Sequence, residues 1–272
     1  MDLTQSTQGW FTPGQEVAGL RIERFLGQGA FSTVYLARDL LIDRVVALKV
    51  LHPTTAESDR PIEPDEVLNE ARLVGKLSSP HIVTLYRVHP PGPQGLWMFE
   101  MQYLEGGTLE AQLAGDRRMP WSQAHPLFAT VTAGLHDAHK TGVVHGDVKA
   151  GNVLLTLDGS ARLADFGLAR LVGDVPFADR ASGSPRGTPL YMAPEVLLGN
   201  PGDAASDVWS LGVLMYRTLA GQFPFDTQDF RVLFHAVQTE APRPLGPEVP
   251  AAARDLVFQC LAKRPEDRPP NA

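Results

Sequence analysis

The sequence lacks several features that define other classes of protein. Its 272 residues include one cysteine, Cys260, which excludes an internal disulfide and a thiolate metal cage. No uninterrupted apolar run approaches the roughly 18 residues that a membrane span needs. The net charge of −7 offers no basic excess for nucleic acid. We therefore expect a cytoplasmic protein with no nucleic-acid partner and no membrane contact within this segment.

The composition is that of an ordinary globular fold with many turns. Hydrophobic residues make up 43% and charged residues 20% of the chain, which excludes a wholly disordered or coiled-coil protein. The 25 glycines and 23 prolines follow no collagen-like repeat. Residues 1–15 are polar and contain glycine and proline, so they are expected to form a flexible leader.

The hydrophobic period changes along the chain from strand-like to helix-like. The first part alternates apolar and polar residues in short runs, and it contains one segment of helical spacing. These patterns predict three antiparallel strands within 19–50, a helix over 64–77, and two further strands over 81–88 and 96–103. Beyond residue 105 the helical spacing dominates, with a long apolar-faced segment over 203–221. This order predicts an α+β fold of two lobes, with boundaries at 16–104 and 105–272.

A glycine-rich turn follows the first of these strands. It runs from Leu26 to Val34 and contains Gly27 and Gly29, which allow backbone N–H groups to approach phosphate oxygens. A simple hairpin would have the same composition, so this turn alone is weak evidence for phosphate binding. A dinucleotide-binding fold is disfavoured, because the residues after the glycines continue as a strand instead of opening a helix.

A lysine and a glutamate nearby suit an ion pair. Glu70 lies on the apolar face of the predicted helix, between Val67 and Val74, and a buried carboxylate needs a cationic partner. Lys49, on the third strand, is the candidate. Glu66 is the competing carboxylate at the edge of the same face. A pair between Lys49 and Glu70 would hold the ammonium group toward phosphates beneath the glycine turn.

The most informative stretch runs from His145 to Asn152 and is followed by Asp165-Phe166-Gly167. Two aspartates and an asparagine supply hard oxygen ligands for Mg²⁺ and leave one carboxylate to accept a proton. Lys149 in the same stretch can neutralise a transferring phosphoryl group. Polar loops without a function would not require these residue types at these intervals.

Over residues 16–272 the chain resembles the serine/threonine protein kinase domains common in bacteria. The matching motifs occur in the order and spacing of that family, and they are the glycine turn Gly27 to Val34, Val46-Ala47-Leu48-Lys49, Glu70, His145 to Asn152, Asp165-Phe166-Gly167, Gly187 to Glu195, Asp207 to Gly212, and Arg268. The resemblance implies the bilobal protein kinase fold, with a small, mostly antiparallel β lobe carrying one helix and a larger, mainly helical lobe. It also implies phosphoryl transfer from ATP with Mg²⁺, or Mn²⁺ as a substitute, to protein serine and threonine hydroxyls.

The same resemblance implies a role for each matching residue. It assigns catalysis to Asp147 as the base for the hydroxyl, with Lys149, Lys49, Glu70 and Thr188. It assigns the metal to Asn152 and Asp165. The nucleotide would contact Leu26, Gly27, Gln28, Gly29, Ser32, Val34, Ala47, Lys49, Met101, Gln102, Leu104 and Leu154. An ion pair between Glu195 and Arg268 and a supporting carboxylate at Asp207 are implied as well.

Some positions depart from the family pattern. Ser32 replaces the third glycine of the turn, a change that active members tolerate. Gly146 stands where arginine usually precedes the catalytic aspartate, so activity is expected to depend little on phosphate at Ser184. Ser182 lies in the same segment. Gly151 replaces a glutamate found in kinases that prefer basic residues before the target.

Two alternatives remain open at this stage. The stretch from His145 to Asn152, called the catalytic stretch below, also resembles that of small-molecule phosphotransferases of the aminoglycoside type. The segment from Gly187 to Glu195 nevertheless favours a protein acceptor. A pseudokinase scaffold is the alternative from another class. The expected partners are ATP, protein substrates and a second copy of the chain in transient self-association for autophosphorylation. The chain ends shortly after Arg268, so the family's last helix is expected to be missing.

Overall fold

The computed structural model describes residues 10–29, 32–52, 64–92, 95–166, 188–227, 229–270 and 272, apart from the side chains of Glu66, Glu70 and Thr188. Two compact units divide the chain. Unit 1 contains the described residues up to Gly75 together with Val83–Tyr103. Unit 2 contains Lys76–Ile82 and the described residues from Leu104 onward.

Unit 1 is built on an antiparallel six-stranded sheet with the strand order β1-β2-β3-β4-β6-β5. Its elements are β1 (Glu16–Val17), β2 (Leu20–Gln28), β3 (Ser32–Asp39), β4 (Arg44–Leu51), α1 (Pro64–Val74), β5 (Leu85–His89) and β6 (Met98–Gln102). The predicted helix is therefore present and ends at Val74, three residues before the predicted end. The strand predicted from His81 begins only at Leu85.

Strand alternation gives the sheet two different faces. Directly opposed residues of antiparallel strands share a face, so Leu48 and Glu100 lie on one side while Lys49 and Phe99 lie on the other. The first side forms the core of unit 1, made of Phe11, Leu20, Ile22, Tyr35, Ala37, Val46, Leu48, Val50, Leu96 and Met98. Phe11 packs 5.7 Å from the Tyr35 ring, and its N–H donates to the Tyr35 hydroxyl at 3.2 Å. At least this residue of the predicted leader thus belongs to the core.

Unit 2 is mainly helical, as the change of period predicts. Its helices are α2 (Leu109–Gln112), α3 (Trp121–Lys140), α4 (Pro194–Leu197), α5 (Ala204–Ala220), α6 (Phe230–Thr239) and α7 (Ala251–Cys260). A two-stranded hairpin, β7 (Val153–Leu155) and β8 (Ala161–Leu163), lies between α3 and α4 in the chain. Ile82 bridges to Leu163 of β8, which explains why the strand predicted from His81 does not begin there.

Helix α5 is the buried centre of unit 2. Asp203 caps its N-terminus by accepting from the Ser206 N–H, and Ser206 reciprocates in a capping box. Gly221 ends the helix in the left-handed region at φ 77°. Trp209 and Tyr216 are fully buried along its length, and the helix packs against α3 and α7. Among the residues described, no helix combines the length and the apolar character that a membrane span requires.

Candidate active site

Three predicted residues of the catalytic stretch meet at one carboxylate in unit 2. Lys149 Nζ lies 2.6 Å from Asp147 Oδ2, and Asn152 Nδ2 donates to the same oxygen at 3.0 Å. Asn152 Nδ2 also donates to the Asp147 backbone carbonyl at 2.8 Å. The short 3₁₀ turn Ala150–Asn152 returns the chain so that these contacts form. The structure therefore brings together Asp147, Lys149 and Asn152.

A buried carboxylate from α5 holds the start of this stretch. Asp207, at 1% exposure, accepts from the backbone N–H groups of His145 and Gly146, both at 2.8 Å. His139 Nε2 on α3 lies 2.8 Å from the same carboxylate. Hydrogen bonds to a charged acceptor are stronger than neutral ones. The predicted support of the catalytic stretch by Asp207 is thus present as direct hydrogen bonds to its backbone.

His145 links the catalytic stretch to the segment that follows β8. Its Nε2 donates to the Ala164 carbonyl at 2.9 Å, and its Nδ1 accepts from the Asp147 N–H at 3.2 Å. This pattern requires the neutral ring. Burial lowers the pKa of His145 despite the nearby carboxylates, which favours the same form. The ring also packs against Phe166 at 4.4 Å between centroids.

The two predicted metal ligands flank the β7–β8 hairpin. Asn152 immediately precedes β7, and the Ala164 N–H donates to the Asn152 carbonyl at 2.8 Å, directly before Asp165. Asp165 has φ 65°, a left-handed conformation that costs a non-glycine residue about 1–2 kcal/mol. Such strain is concentrated at functional sites. The hairpin therefore holds the backbones of Asn152 and Asp165 next to each other.

These two residues suit a divalent ion that also binds phosphate. The side-chain nitrogen of Asn152, Nδ2, donates to Asp147. The side-chain oxygen of Asn152, Oδ1, is therefore the atom suited to a metal. Within the described ranges, no three His, Cys, Asp or Glu side chains form a metal cluster. One carboxylate and one amide suit a divalent ion that keeps several waters and also binds substrate phosphates, as Mg²⁺ does.

In unit 1, the predicted nucleotide residues line up on one face of the sheet. Val34 pairs with Lys49, and Ala47 pairs with Met101, so all four side chains lie on the face opposite the Phe11 core. Lys49 is 7% exposed. Gly27 pairs with Val34, and the Gly29 N–H donates to the Ser32 carbonyl at 2.8 Å, which closes the glycine turn.

Gln102 and Leu104 lie on either side of the boundary between unit 1 and unit 2 in the chain, whereas Leu154 lies on β7 within unit 2. The Gln102 N–H donates to the Thr84 carbonyl at 2.9 Å, so this donor is already used within unit 1. Leu104 is buried, and Leu154 on β7 bridges to Thr108 in unit 2.

The predicted ion pair of unit 2 has bidentate geometry. Arg268 Nη1 and Nη2 lie 2.6 and 2.8 Å from the two Glu195 oxygens. The Arg268 side chain is completely buried and also donates to the carbonyls of Ala205, Ala262 and Lys263. This pair joins the start of α4 to the end of the chain and confirms the prediction.

Comparisons with known proteins identify the family. Residues 20–271 match the protein kinase domain. The chain belongs to the protein kinase family. It is 38% identical to the DNA damage-responsive serine/threonine-protein kinase RqkA of Deinococcus radiodurans, over 95% of this chain and 39% of that protein. It is 32% identical to the serine/threonine-protein kinase PknA of Corynebacterium glutamicum, over 94% and 55%, and 36% identical to CBL-interacting protein kinase 4 of rice, over 90% and 54%.

This kinase domain spans between 38% and 61% of the length of the relatives it matches. The predicted family and the α+β kinase fold are confirmed. Protein kinases use ATP with a divalent metal, which confirms these cofactors in general terms.

Several predicted residues of the kinase domain lie outside the described part. These are the side chains of Glu70 and Thr188, and residues 167–187, which include Ser182 and Ser184. Their roles stay predictions. Cys260, to which the sequence assigns no role, is 3% exposed, and burial raises the pKa of its thiol to about 11.

The sequence pattern does not predict two contacts of the kinase domain. His139 is three residues from His136 on α3, a spacing that indicates only a structural role, yet it reaches Asp207. Arg217 on α5 contacts Tyr191 and Glu110. No local signal marks either residue, because their partners are 26 to 107 residues away in the sequence.

Proposed function

We propose that this kinase domain transfers the γ-phosphate of ATP to serine and threonine hydroxyls of proteins. One observation carries the proposal: Asp147 Oδ2 is contacted by both Lys149 and Asn152, at 2.6 and 3.0 Å. A carboxylate placed between a cation and an amide is suited to orient a hydroxyl beside a phosphoryl group. The relatives compared above are all protein kinases by name, which supports a protein acceptor.

In the proposed reaction, Asp147 accepts the proton of the serine or threonine hydroxyl. The hydroxyl oxygen forms a bond to the γ-phosphorus, the bond from that phosphorus to the β–γ bridging oxygen breaks, and ADP leaves. Lys149 neutralises charge on the transferring group. Asn152 and Asp165 would hold Mg²⁺, or Mn²⁺ in its place, which when bound supplies further charge neutralisation at the phosphates.

We assign the nucleotide to the residues that the resemblance implies. Lys49 would bind the α- and β-phosphates, with Glu70 as its ion-pair partner, and the backbone of the glycine turn would bind the phosphates from Gly27 to Ser32. Val34, Ala47 and Leu154 would contact adenine through their apolar side chains, and the Leu104 backbone would form a hydrogen bond to it. Met101 would lie at the rear of the adenine pocket, and Leu26 would also contact the nucleotide. The Gln102 carbonyl would accept a hydrogen bond from the adenine amino group. The Gln102 N–H already donates to the Thr84 carbonyl.

The acceptor class depends on the segment before α4. Thr188 begins a 3₁₀ turn, Thr188–Tyr191, whose Tyr191 is buried beside the catalytic stretch. We assign Thr188 a hydrogen bond near Asp147 and Lys149, which suits an alcohol acceptor. We further propose cytoplasmic action and transient self-association during autophosphorylation, since Ser182 and Ser184 are candidate acceptors within the chain.

Phosphate transfer with a matched pair of variants tests the function. Purified protein is incubated with labelled ATP, Mg²⁺ and a peptide array, and phosphosites are mapped by mass spectrometry. We expect phosphoserine and phosphothreonine with the wild type and a rate at least about 100-fold lower with Asp147→Asn. Asp255→Asn, on the exposed side of α7, should match the wild type.

Two results would contradict the proposal. Binding of Mg-ATP without transfer to any peptide or to the chain itself would indicate a pseudokinase. Transfer to an aminoglycoside alcohol with no peptide product would indicate the small-molecule class.

A further inference from the structure

A partly buried arginine on α5 connects helix α2 with the catalytic stretch. Arg217 Nη2 donates to Glu110 Oε1 at 2.8 Å, and Nη1 contacts the other oxygen of the same carboxylate. Nη1 also donates to the Tyr191 hydroxyl at 3.0 Å. The Arg217 side chain is 13% exposed, and its guanidinium carbon lies 4.7 Å from the centre of the Phe223 ring. One guanidinium thus contacts three segments of unit 2.

The charge of Arg217 is secure in this position. Burial opposes it, but hydrogen bonds to Glu110 and Tyr191 outweigh that effect and raise the pKa of Arg217. The planar guanidinium matches the carboxylate through two parallel donors, which fixes its orientation as well as its charge. Arg217 is therefore a rigid donor toward Tyr191.

Tyr191 passes this constraint to the catalytic stretch. Its hydroxyl accepts from Arg217 and also from the Ala150 N–H, the latter at 3.4 Å. Its ring packs edge-on against Phe223 at 5.4 Å, and its carbonyl accepts from Ser210 Oγ at 2.8 Å. Both ends of the tyrosine are held, so the position of the hydroxyl is defined.

Ala150 begins the turn that places the amide of Asn152 on Asp147. The Asn152 N–H donates to the Lys149 carbonyl at 3.0 Å within this turn, and Asn152 Nδ2 then contacts Asp147. A shift of the Ala150 backbone would move Asn152, and with it the carboxylate. The chain of contacts therefore runs from Glu110 through Arg217 and Tyr191 to the catalytic stretch.

We propose that Arg217 is a positioning residue, which through the Tyr191 hydroxyl fixes the Ala150–Asn152 turn and thereby the orientation of Asp147 and Asn152. This inference rests on the proposed function, because the oriented groups are the proposed base and metal ligand. It adds that helix α2, through Glu110, takes part in setting the catalytic geometry.

Kinetics of three variants test this role. Tyr191→Phe removes the hydroxyl but keeps the ring against Phe223, Arg217→Met removes the donor, and a third variant combines both. We expect kcat with an array-selected peptide to fall about tenfold for each single change, consistent with one lost hydrogen bond. The kcat of the combined variant should be no lower than that of the slower single variant, because both changes break the same chain of contacts. The Kd for Mg-ATP, measured by equilibrium dialysis, should stay within about twofold.

The matched control is Arg264→Met, which removes another bidentate arginine–carboxylate pair of unit 2. This pair, with Asp267, lies at an exposed position. It should leave kcat unchanged. All rates are measured well below the melting temperature of each variant. A Tyr191→Phe variant with wild-type kcat, or losses that multiply in the combined variant, would overturn the inference. So would a lowered melting temperature with unaltered kcat, since this is the result of a purely structural role.

Hydrogen exchange separates failure of this inference from failure of the proposed function. Faster amide exchange at 150–152 in Tyr191→Phe than in the wild type supports the positioning chain even if the wild type transfers no phosphate. Unaltered exchange there overturns the chain even if the wild type is an active kinase.

Discussion

The two units position their candidate residues by different means. In unit 1, Val34, Lys49, Ala47 and Met101 share a face because neighbouring strands are in register. In unit 2, the catalytic stretch is held by Asp207, which is about 60 residues away in the sequence. Repeating backbone geometry places the first group, and individual buried side chains place the second. Single substitutions should therefore disturb the site in unit 2 more than the site in unit 1.

Unit 1 also buries a charge, but it satisfies that charge locally. Glu100 on β6 is 1% exposed and lies 3.2 Å from Arg44 on β4 and 3.3 Å from His89 on β5. Its partners come from the two strands next to it. Asp207, in contrast, accepts hydrogen bonds from α3 and from the catalytic stretch. The carboxylate of unit 2 therefore links segments that strand register could not align.

The largest expected effect comes from removing that carboxylate. Asp207→Ala leaves the N–H groups of His145 and Gly146 and the ring of His139 without their acceptor. Buried unsatisfied donors cost about 1–3 kcal/mol each, part of which relaxation relieves, so the free energy of unfolding should fall by about 3 kcal/mol. Urea denaturation measures this change, and phosphate transfer should fall with it.

Asp255→Ala, on the exposed side of α7, is the control and should unfold at the same urea concentration as the wild type. If Asp207→Ala also kept the wild-type midpoint, the contrast between the units would be wrong.

The same contrast explains how much of the molecule could be predicted from sequence. Alternation predicts the strands of unit 1 and the side that carries Lys49, because strand geometry repeats every two residues. Motif spacing predicts Asp147, Lys149, Asn152 and Asp165 as a group. It does not predict the links from His139 or Arg217, since side-chain contacts between distant segments leave no periodic pattern. The early start expected for β5 fails for the same reason, because Ile82 bridges to Leu163 far along the chain.

A smaller effect is expected from another long-range contact of unit 2. Lys263 Nζ donates to the carbonyls of Ala236 and Val237 at the end of α6, at 3.2 and 2.7 Å, and lies 4.1 Å from the centre of the Phe225 ring. Burial, helped by Arg268 and opposed by Glu240, lowers the pKa of Lys263 to about 8.

The unfolded chain therefore binds more protons than the folded protein between pH 8 and the ordinary lysine pKa of 10.5. The contribution of Lys263 to the free energy of unfolding should rise with pH in this window, by about 1 kcal/mol after allowance for solvent screening. The measurement is urea denaturation at several pH values.

Other groups titrate in the same range with the opposite sign. Burial raises the pKa values of Cys260 and Tyr191, so their ionisation in the unfolded chain lowers stability as the pH rises. The Lys263→Met variant carries the same background, and the difference between wild type and variant isolates the lysine. A difference that is constant from pH 7.5 to 10 would show that the aromatic ring and the carbonyls offset the effect of burial.

The smallest effects are expected from matched glycine substitutions in the two units. Gly146, in the catalytic stretch, has φ 74°, and Gly146→Ala should cost about 1 kcal/mol of the free energy of unfolding because an L-residue is strained there. Gly27 on β2 has no atom within 4 Å of an added Cβ and no left-handed φ. Gly27→Ala should therefore be neutral or stabilise by a few tenths of a kcal/mol. Urea denaturation of both variants decides the matter, and equal losses would mean that strand register tolerates substitution no better than the loop that Asp207 holds.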